Sequence, residues 1–283
     1  MQFIKSLTKL LFFICPAFAT AQSTFLTPGS KDIHFVDRME IKQQKNTNLN
    51  FSSVRPFNRK YIVEQTEFID SARLGYTNAA GVDKYQEWND QALTPIDEYN
   101  LNSFLMNNSE WVTGPTESFK SRKPILKTFY KTKPNFLEVK TNNFFLALNP
   151  VFQYVQGIET GYNKSIFLNS KGITARGTIG RKIGFSTFIT DNQERGPQFF
   201  QQNTNFFRAT QGVGFYKPFK TSGVDYFDAR GYITFKAAGA IDIQFGYDKN
   251  FIGNGYRSLF LSDWGNSNLF LKLNTRVWKL NYQ

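Results

Sequence analysis

The chain has 283 residues, 31 of them Phe, is 17% aromatic and carries a formal charge of +12, yet its mean hydropathy is −0.40. It holds one Cys and one His. That excludes thiolate metal sites and disulfide scaffolds, and leaves His34 as the only residue through which Ser-His-Asp or His-rich metal chemistry could run.

Residues 1–21 read as a signal peptide. Lys5 and Lys9 form a positive start, Leu10 to Ile14 sit in a short apolar stretch, and Ala19-Thr20-Ala21 has the small-x-small form of a cleavage site. The apolar run is too short to cross a bilayer as a helix. Cys15 falls inside it, so the mature chain from Gln22 has no cysteine. Without Lys5 and Lys9 the charge is +10. An exported chain rarely meets nucleic acid. Anionic surface polysaccharide, or lipopolysaccharide phosphate, is the natural partner for such a charge. General solubility would explain it equally well.

Residues 22–134 show helix and loop signals. A helix is expected from Arg59 to Leu74, with Ile62, Phe68 and Ile69 near one face and Gly75 just past its end. A second opens at Thr94-Pro95, with Asp97 and Glu98 in its first turn and Leu101, Phe104 and Leu105 at helical spacing. Neither is apolar all round, so each needs something to lie against. Residues 115–134 hold three prolines and read as an extended connector.

Residues 135–283 alternate with period two. In 240–248, Ile241, Ile243, Phe245 and Tyr247 fall on one face, and Asp242, Gln244, Gly246 and Asp248 on the other. Residues 231–236 form its hairpin partner. Residues 172–181 and 182–190 form a second hairpin, and strands also fit 143–157, 164–170, 257–262, 269–275 and 277–283. In the last, Trp278, Leu280 and Tyr282 alternate with polar residues. On this pattern Ile243→Arg is expected to be costly and Gln244→Arg cheap. Alternation does not say whether the apolar face meets lipid or a core. The long connection 191–228 between tight hairpins suits the long outer loops and short inner turns of outer-membrane barrels. A secreted β-sandwich would give similar totals.

The most distinctive run is Phe245-Gly246-Tyr247-Asp248-Lys249-Asn250-Phe251-Ile252-Gly253-Asn254-Gly255-Tyr256-Arg257-Ser258-Leu259-Phe260-Leu261-Ser262-Asp263, followed by Leu269 to Thr275. It resembles the Wzi-like capsule-assembly family and is nearest in wording to the RemB-like branch of gliding bacteria. Arg55-Pro56-Phe57-Asn58-Arg59, Leu148-Asn149-Pro150, Gly231-Tyr232-Ile233-Thr234-Phe235 and Lys217-Pro218-Phe219 fit the same branch. The resemblance implies a helical N-terminal segment, periplasmic or plugging the lumen, followed by an antiparallel outer-membrane β-barrel. It implies a non-enzymatic role in binding, attaching or assembling surface polysaccharide, or in gliding, with gliding or other envelope proteins as possible partners. Members of that family continue past this length, so the expectation is an incomplete barrel and a C-terminally shortened chain.

Gly253-Asn254-Gly255 lacks the third glycine and the βαβ setting of a phosphate loop and reads as a tight bend. Tyr256, Arg257, Ser258 and Asp263 belong to the same motif, as a turn or facing the lumen. Arg257 and Asp263 could pair with each other. Tyr256 and Trp264 could stack on sugars or stand in an aromatic girdle, the latter favoured. Arg195, Arg208, Lys217 and Lys220 are candidate contacts for an anionic glycan. No cofactor and no metal is implied. The competing functions are a passive porin and an envelope glycosidase with two carboxylates.

Overall fold

The computed structural model describes residues 23–43, 53–74, 93–180, 182–237, 241–253, 255–277 and 280–282. The signal segment, Asn254, Trp278 and Lys279 lie outside them.

The first part is a helical unit: α1 (Lys31–Gln43), α2 (Arg59–Leu74) and α3 (Pro95–Asn107). Thr94 caps α3. Its hydroxyl accepts from the Asp97 backbone N–H while the Asp97 carboxylate accepts from the Thr94 backbone N–H, a reciprocal capping box with Pro95 at the first helical position. The helices bury Leu26, Val36, Met39, Val63, Ile69, Leu101 and Phe104 in one core, with Phe35 and Phe104 stacked at 5.0 Å. Sequence periodicity had not marked α1. Its apolar positions are interrupted by Asp32, His34, Asp37 and Arg38, and its hydrophobic face closes only in combination with α2 and α3. Residues 115–134 are irregular apart from a short 3-10 turn at Glu117–Phe119.

The second part is an antiparallel meander. Its strands are β2 (Leu137–Lys140), β3 (Phe144–Gly157), β4 (Ile166–Ile179), β5 (Ile183–Arg195), β7 (Gly223–Ala237), β8 (Ile241–Asp248), β10 (Asn268–Val277) and β11 (Leu280–Tyr282). They are ordered β2-β3-β4-β5-β7-β8-β10-β11, and β6 (Lys217–Phe219) pairs with the upper end of β7. The chain is therefore mostly antiparallel β-sheet with a few helices, and the sheet is open rather than closed on itself.

Three expectations are corrected. β4 is one strand where two were expected at 164–170 and 172–181, because Gly172 marks a close approach and not a turn: a Cβ there would lie 2.0 Å from the Ile189 carbonyl oxygen. The long connection is shorter than 191–228, since β5 reaches Arg195 and β7 begins at Gly223. It contains a helix, α4 (Gln198–Phe207), whose first free N–H is met by the Glu159 carboxylate at 2.9 Å. Residues 257–262 are not a strand. The segment β9 (Phe251–Ile252) leaves the sheet and pairs with β1 (Val54–Arg55) of the helical unit, and the chain then folds back on itself through Ser258.

The two faces of the meander differ. Strand register places Ile183, Phe235, Ile243 and Leu273 in one row, and Phe185, Ile233, Phe245 and Leu271 in the next. This apolar face is open: Leu271 is 64% exposed, Ile233 47% and Phe245 45%. The opposite face carries Arg176, Ser186, Arg230, Tyr232, Thr234, Gln244 and Lys272, and the helical unit covers it. Thr234 is 0% exposed and Gln244 2%. Gln244→Arg is therefore no cheap change, contrary to the alternation argument. That residue lies in a packed seam rather than in water.

Candidate functional site

The seam between helical unit and sheet is polar and specific. The Arg176 guanidinium donates to Glu110 at 3.0 and 3.2 Å and to the Asn107 carbonyl at 2.6 Å. Tyr232 exchanges hydrogen bonds with the Phe25 backbone, accepting at 2.8 Å and donating at 3.2 Å. Thr234 donates to the Ser23 carbonyl at 2.9 Å, and Lys272 lies over the Phe25 ring. Arg59 donates to the Phe25 carbonyl and to Asn108. Burial and repulsion from Arg176 pull the Arg59 guanidinium down to about 10, which still leaves it charged at neutral pH. Burial pushes Glu110 upward, but the charge and hydrogen bonds of Arg176, aided by Arg59, hold it below the ordinary carboxylate value.

A cavity of about 70 Å³ lies in this seam, lined by Arg59, Asn149, Arg176, Arg230, Tyr232 and Asp248 among others. It has room for a few waters and is far smaller than the several hundred Å³ of a ligand pocket. Arg230 is paired with Asp228 at 3.2 Å and Asp248 at 3.6 Å, and lies 4.2 Å from the Phe188 ring centroid. Among the described residues no group of three or more His, Cys, Asp or Glu is placed to hold a metal ion. No described helix is long and apolar enough to cross a membrane.

The distinctive run forms the connection between β8 and β10, at the end of the sheet that also carries 158–165 and 196–222. Gly253 donates its N–H to the Ser53 carbonyl at 2.6 Å and has φ +149°, a backbone that favours glycine. Arg55 of the helical unit lies over Phe251 and Phe57 and is paired with Asp37. Arg257 lies over the Trp264 ring at 4.0 Å, and not beside Asp263. Asp263 lines a small crevice with Arg55 and Lys249. The 210–214 turn rests on this segment: a Cβ at Gly212 would be 3.2 Å from the Trp264 carbonyl oxygen. Tyr256, Phe260 and Trp264 are exposed. All three sit in the connection and not on a strand face, so the outward strand aromatics are others, among them Phe152, Tyr154, Phe227 and Tyr247.

The four cationic glycan candidates do not form one group. Arg208 is the left-handed C-cap of α4. Arg195 lies over Phe167 at 5.2 Å and Lys220 over Phe219 at 5.2 Å, the two rings meet edge to face at 6.3 Å, and Lys217 stands two residues before Phe219 on β6, opposite Asp225. Sequence reasoning missed the Arg176–Glu110 seam entirely. Its one signal was Arg176 at a polar position of an alternating strand, which marks a polar face but not its partner. Compared with known proteins, the chain matches no family model, no curated protein and no solved structure.

Proposed function

We propose that the meander is part of the wall of an outer-membrane β-barrel, that the helical unit plugs its lumen, and that the protein binds or helps assemble anionic surface polysaccharide at the mouth. One observation carries the membrane reading: the sheet is inside out for water. Its apolar face is open, and its charged face is the one covered by protein. A soluble sandwich buries the opposite face, whereas a membrane wall shows apolar residues to lipid and polar ones to the lumen. From Ile183 to Ile189 the apolar rows climb about 20 Å along the strand, and about 27 Å with the row above that holds Phe152 and Phe227 beside Lys171 and Asp191. At the usual tilt of such walls the longer span is about 20 Å of height, close to an outer-membrane band.

Three features support the glycan part. They are the formal charge of +10 without Lys5 and Lys9, the Arg257–Trp264 stack with exposed Tyr256 beside it, and the resemblance of residues 245–263 to capsule-assembly and gliding proteins. The plug occupies the polar face, which weighs against a passive pore, and the small seam cavity weighs against a glycosidase cleft.

The membrane reading is tested with single cysteines at Leu271 and at Ile41 in the full-length protein, each labelled with a fluorophore and challenged with nitroxide lipids. Both side chains are exposed, at 64% and 73%, but only Leu271 lies on the sheet. Quenching at Leu271 and not at Ile41 is expected; equal response at both ends the reading. For the glycan, Arg257→Ala with Trp264→Ala should lower cell-associated polysaccharide at unchanged protein level. Normal polysaccharide with reduced colony spreading would move the role to gliding.

A further inference from the structure

The basic cluster of Arg195, Lys217 and Lys220 does not face the mouth. Register decides this for Arg195 and Lys217, and Lys220 follows by lying over the Phe219 ring. Asn169, Gln193, Asp225 and Lys217 oppose one another across four strands, as do Phe167 and Arg195 on one side and Gly223 and Phe219 on the other. By strict alternation these rows lie on the same side as Ile183, Phe235 and Phe245, the open apolar face. The cations therefore crown the apolar band. Above Ile173 and Ile189 come Lys171, Asp191 and the exposed Phe152 and Phe227, and above those Lys217, Arg195, Phe167 and Phe219.

Charge is in excess there. On this face Lys171, Arg195, Lys217 and the adjoining Lys220 stand against Asp191 and Asp225. Arg195 and Lys220 stack on rings, and Arg195 otherwise donates only to the Ser165 carbonyl, at 3.1 Å. Its Nε is buried without a partner, and the rest of the guanidinium stays only partly covered. Gly223 keeps the row flat, because a Cβ there would press on the carbonyl oxygens of Phe219 and Glu194 at 2.9 and 3.1 Å. Aromatic rings under guanidinium and ammonium groups, directly above an apolar band, match the chemistry of a phosphorylated lipid headgroup whose acyl chains run down the band.

We propose that Arg195, Lys217 and Lys220, with Phe167 and Phe219, form an outward-facing site for the phosphates of an anionic outer-leaflet lipid of the lipid A type. This rests on the membrane reading above, and it removes these three cations from the glycan contacts. The test uses the full-length protein in phosphatidylcholine vesicles doped with fluorescent lipid A, either phosphorylated or enzymatically dephosphorylated. Wild type should enrich the phosphorylated form. Arg195→Gln with Lys217→Gln and Lys220→Gln should weaken that binding by about fivefold per cation removed, and Arg208→Gln should leave it unchanged. Insertion into undoped vesicles is scored separately. Normal insertion without preference for the phosphates, or a triple variant that binds as wild type does, overturns the site and leaves the membrane reading standing. Failure to insert in any vesicle takes down both. Displacement of lipid A by soluble anionic polysaccharide would return these cations to glycan binding and also overturn the site.

Discussion

The helical unit and the meander obey the same hydropathy rule with opposite results. In the helical unit a cluster of large apolar side chains points inward, and Leu26, Ile69, Leu101 and Phe104 are at most 1% exposed. In the sheet Leu269 and Leu271 stand at 70% and 64% exposure, while Thr234, Asp242 and Gln244 on the other face of β7 and β8 are at most 7% exposed. A chain that packs one half correctly for water does not leave the other half inverted without cause. The contrast teaches that the seam between the two parts is held by charge and hydrogen bonds, and that the sheet's apolar face is left uncovered by the described residues.

The largest expected effect breaks that seam. Glu110→Ala leaves the Arg176 guanidinium buried without its carboxylate; the two side chains are 5% and 14% exposed. Removing one partner of a buried pair costs about 3–5 kcal/mol. Urea titration of the full-length protein should show the helical signal lost at lower denaturant while the sheet persists. Unchanged co-operativity and midpoint would show that the seam carries little energy. Acid should imitate the mutation. The folded Glu110 carboxyl is held below its usual 4.5, so its stabilisation is present above that value and fades as pH falls through the folded pKa. Glu110→Gln should remove that share of the acid sensitivity.

Next in size is a change on the open face. Leu271→Arg should cost about 2–4 kcal/mol if the residue meets the hydrocarbon midplane. In water the same substitution at a 64% exposed position would cost almost nothing. The measurement is the folded fraction, read by heat-modifiability in lipid vesicles. A neutral result would remove lipid from that face. Unlike Ile243→Arg, which a soluble core would also resent, this substitution separates the two media.

Asp97→Ala should act within the helical unit alone, by about 2 kcal/mol: roughly 1 for the cap and the rest for its ion pairs, discounted because Arg38 is half exposed. Lys42 and Arg38 donate to the Asp97 carboxylate at 2.6 and 2.5 Å. Burial pushes this carboxyl up, but those bonds and Thr94 hold it far below its ordinary value. Thermal melting of the helical signal should shift down, with the sheet signal unmoved. Movement of both together would show one co-operative unit.

The sequence foretold some of this and hid the rest for physical reasons. α2 and α3 were legible because Gly75 and Thr94-Pro95 punctuate them locally. The strands were legible because Ile243, Phe245 and Tyr247 alternate. What alternation cannot carry is the partner of each face: nothing local to Arg176 points to Glu110, 66 residues away. The strands expected at 164–170 and 172–181 are one, and nothing local says that Gly172 is a close approach inside it. Ser258-Leu259-Phe260-Leu261-Ser262 looked like a strand because a short apolar run stands between two serines. Its backbone is instead diverted by a pairing between Phe251–Ile252 and Val54–Arg55 that no local pattern announces. The cations Arg195 and Lys217 were legible as residues, but the face they share depends on register across four strands, which no local pattern carries.

That diverted pairing gives the smallest and most local test. Val54 and Ile252 are opposed in an antiparallel ladder, a separation a disulfide can span, and Cys15 is the only cysteine in the sequence. Val54→Cys with Ile252→Cys should therefore cross-link the helical unit to the β8–β10 connection under mild oxidation, without altering the fold. Gly253 sets the geometry: at φ +149° a Cβ would stand 2.6 Å from the Ser258 hydroxyl. That hydroxyl cannot simply swing aside, because it donates to the Ile252 carbonyl. Gly253→Ala should cost about 1–2 kcal/mol of local strain, felt as a slower cross-link and greater protease access at 251–258, with the global midpoint nearly unchanged. An equal cross-linking rate in the Ala background would show that the bend tolerates a side chain. The Arg55–Phe251 contact, and not the glycine, would then be what holds the connection to the helical unit.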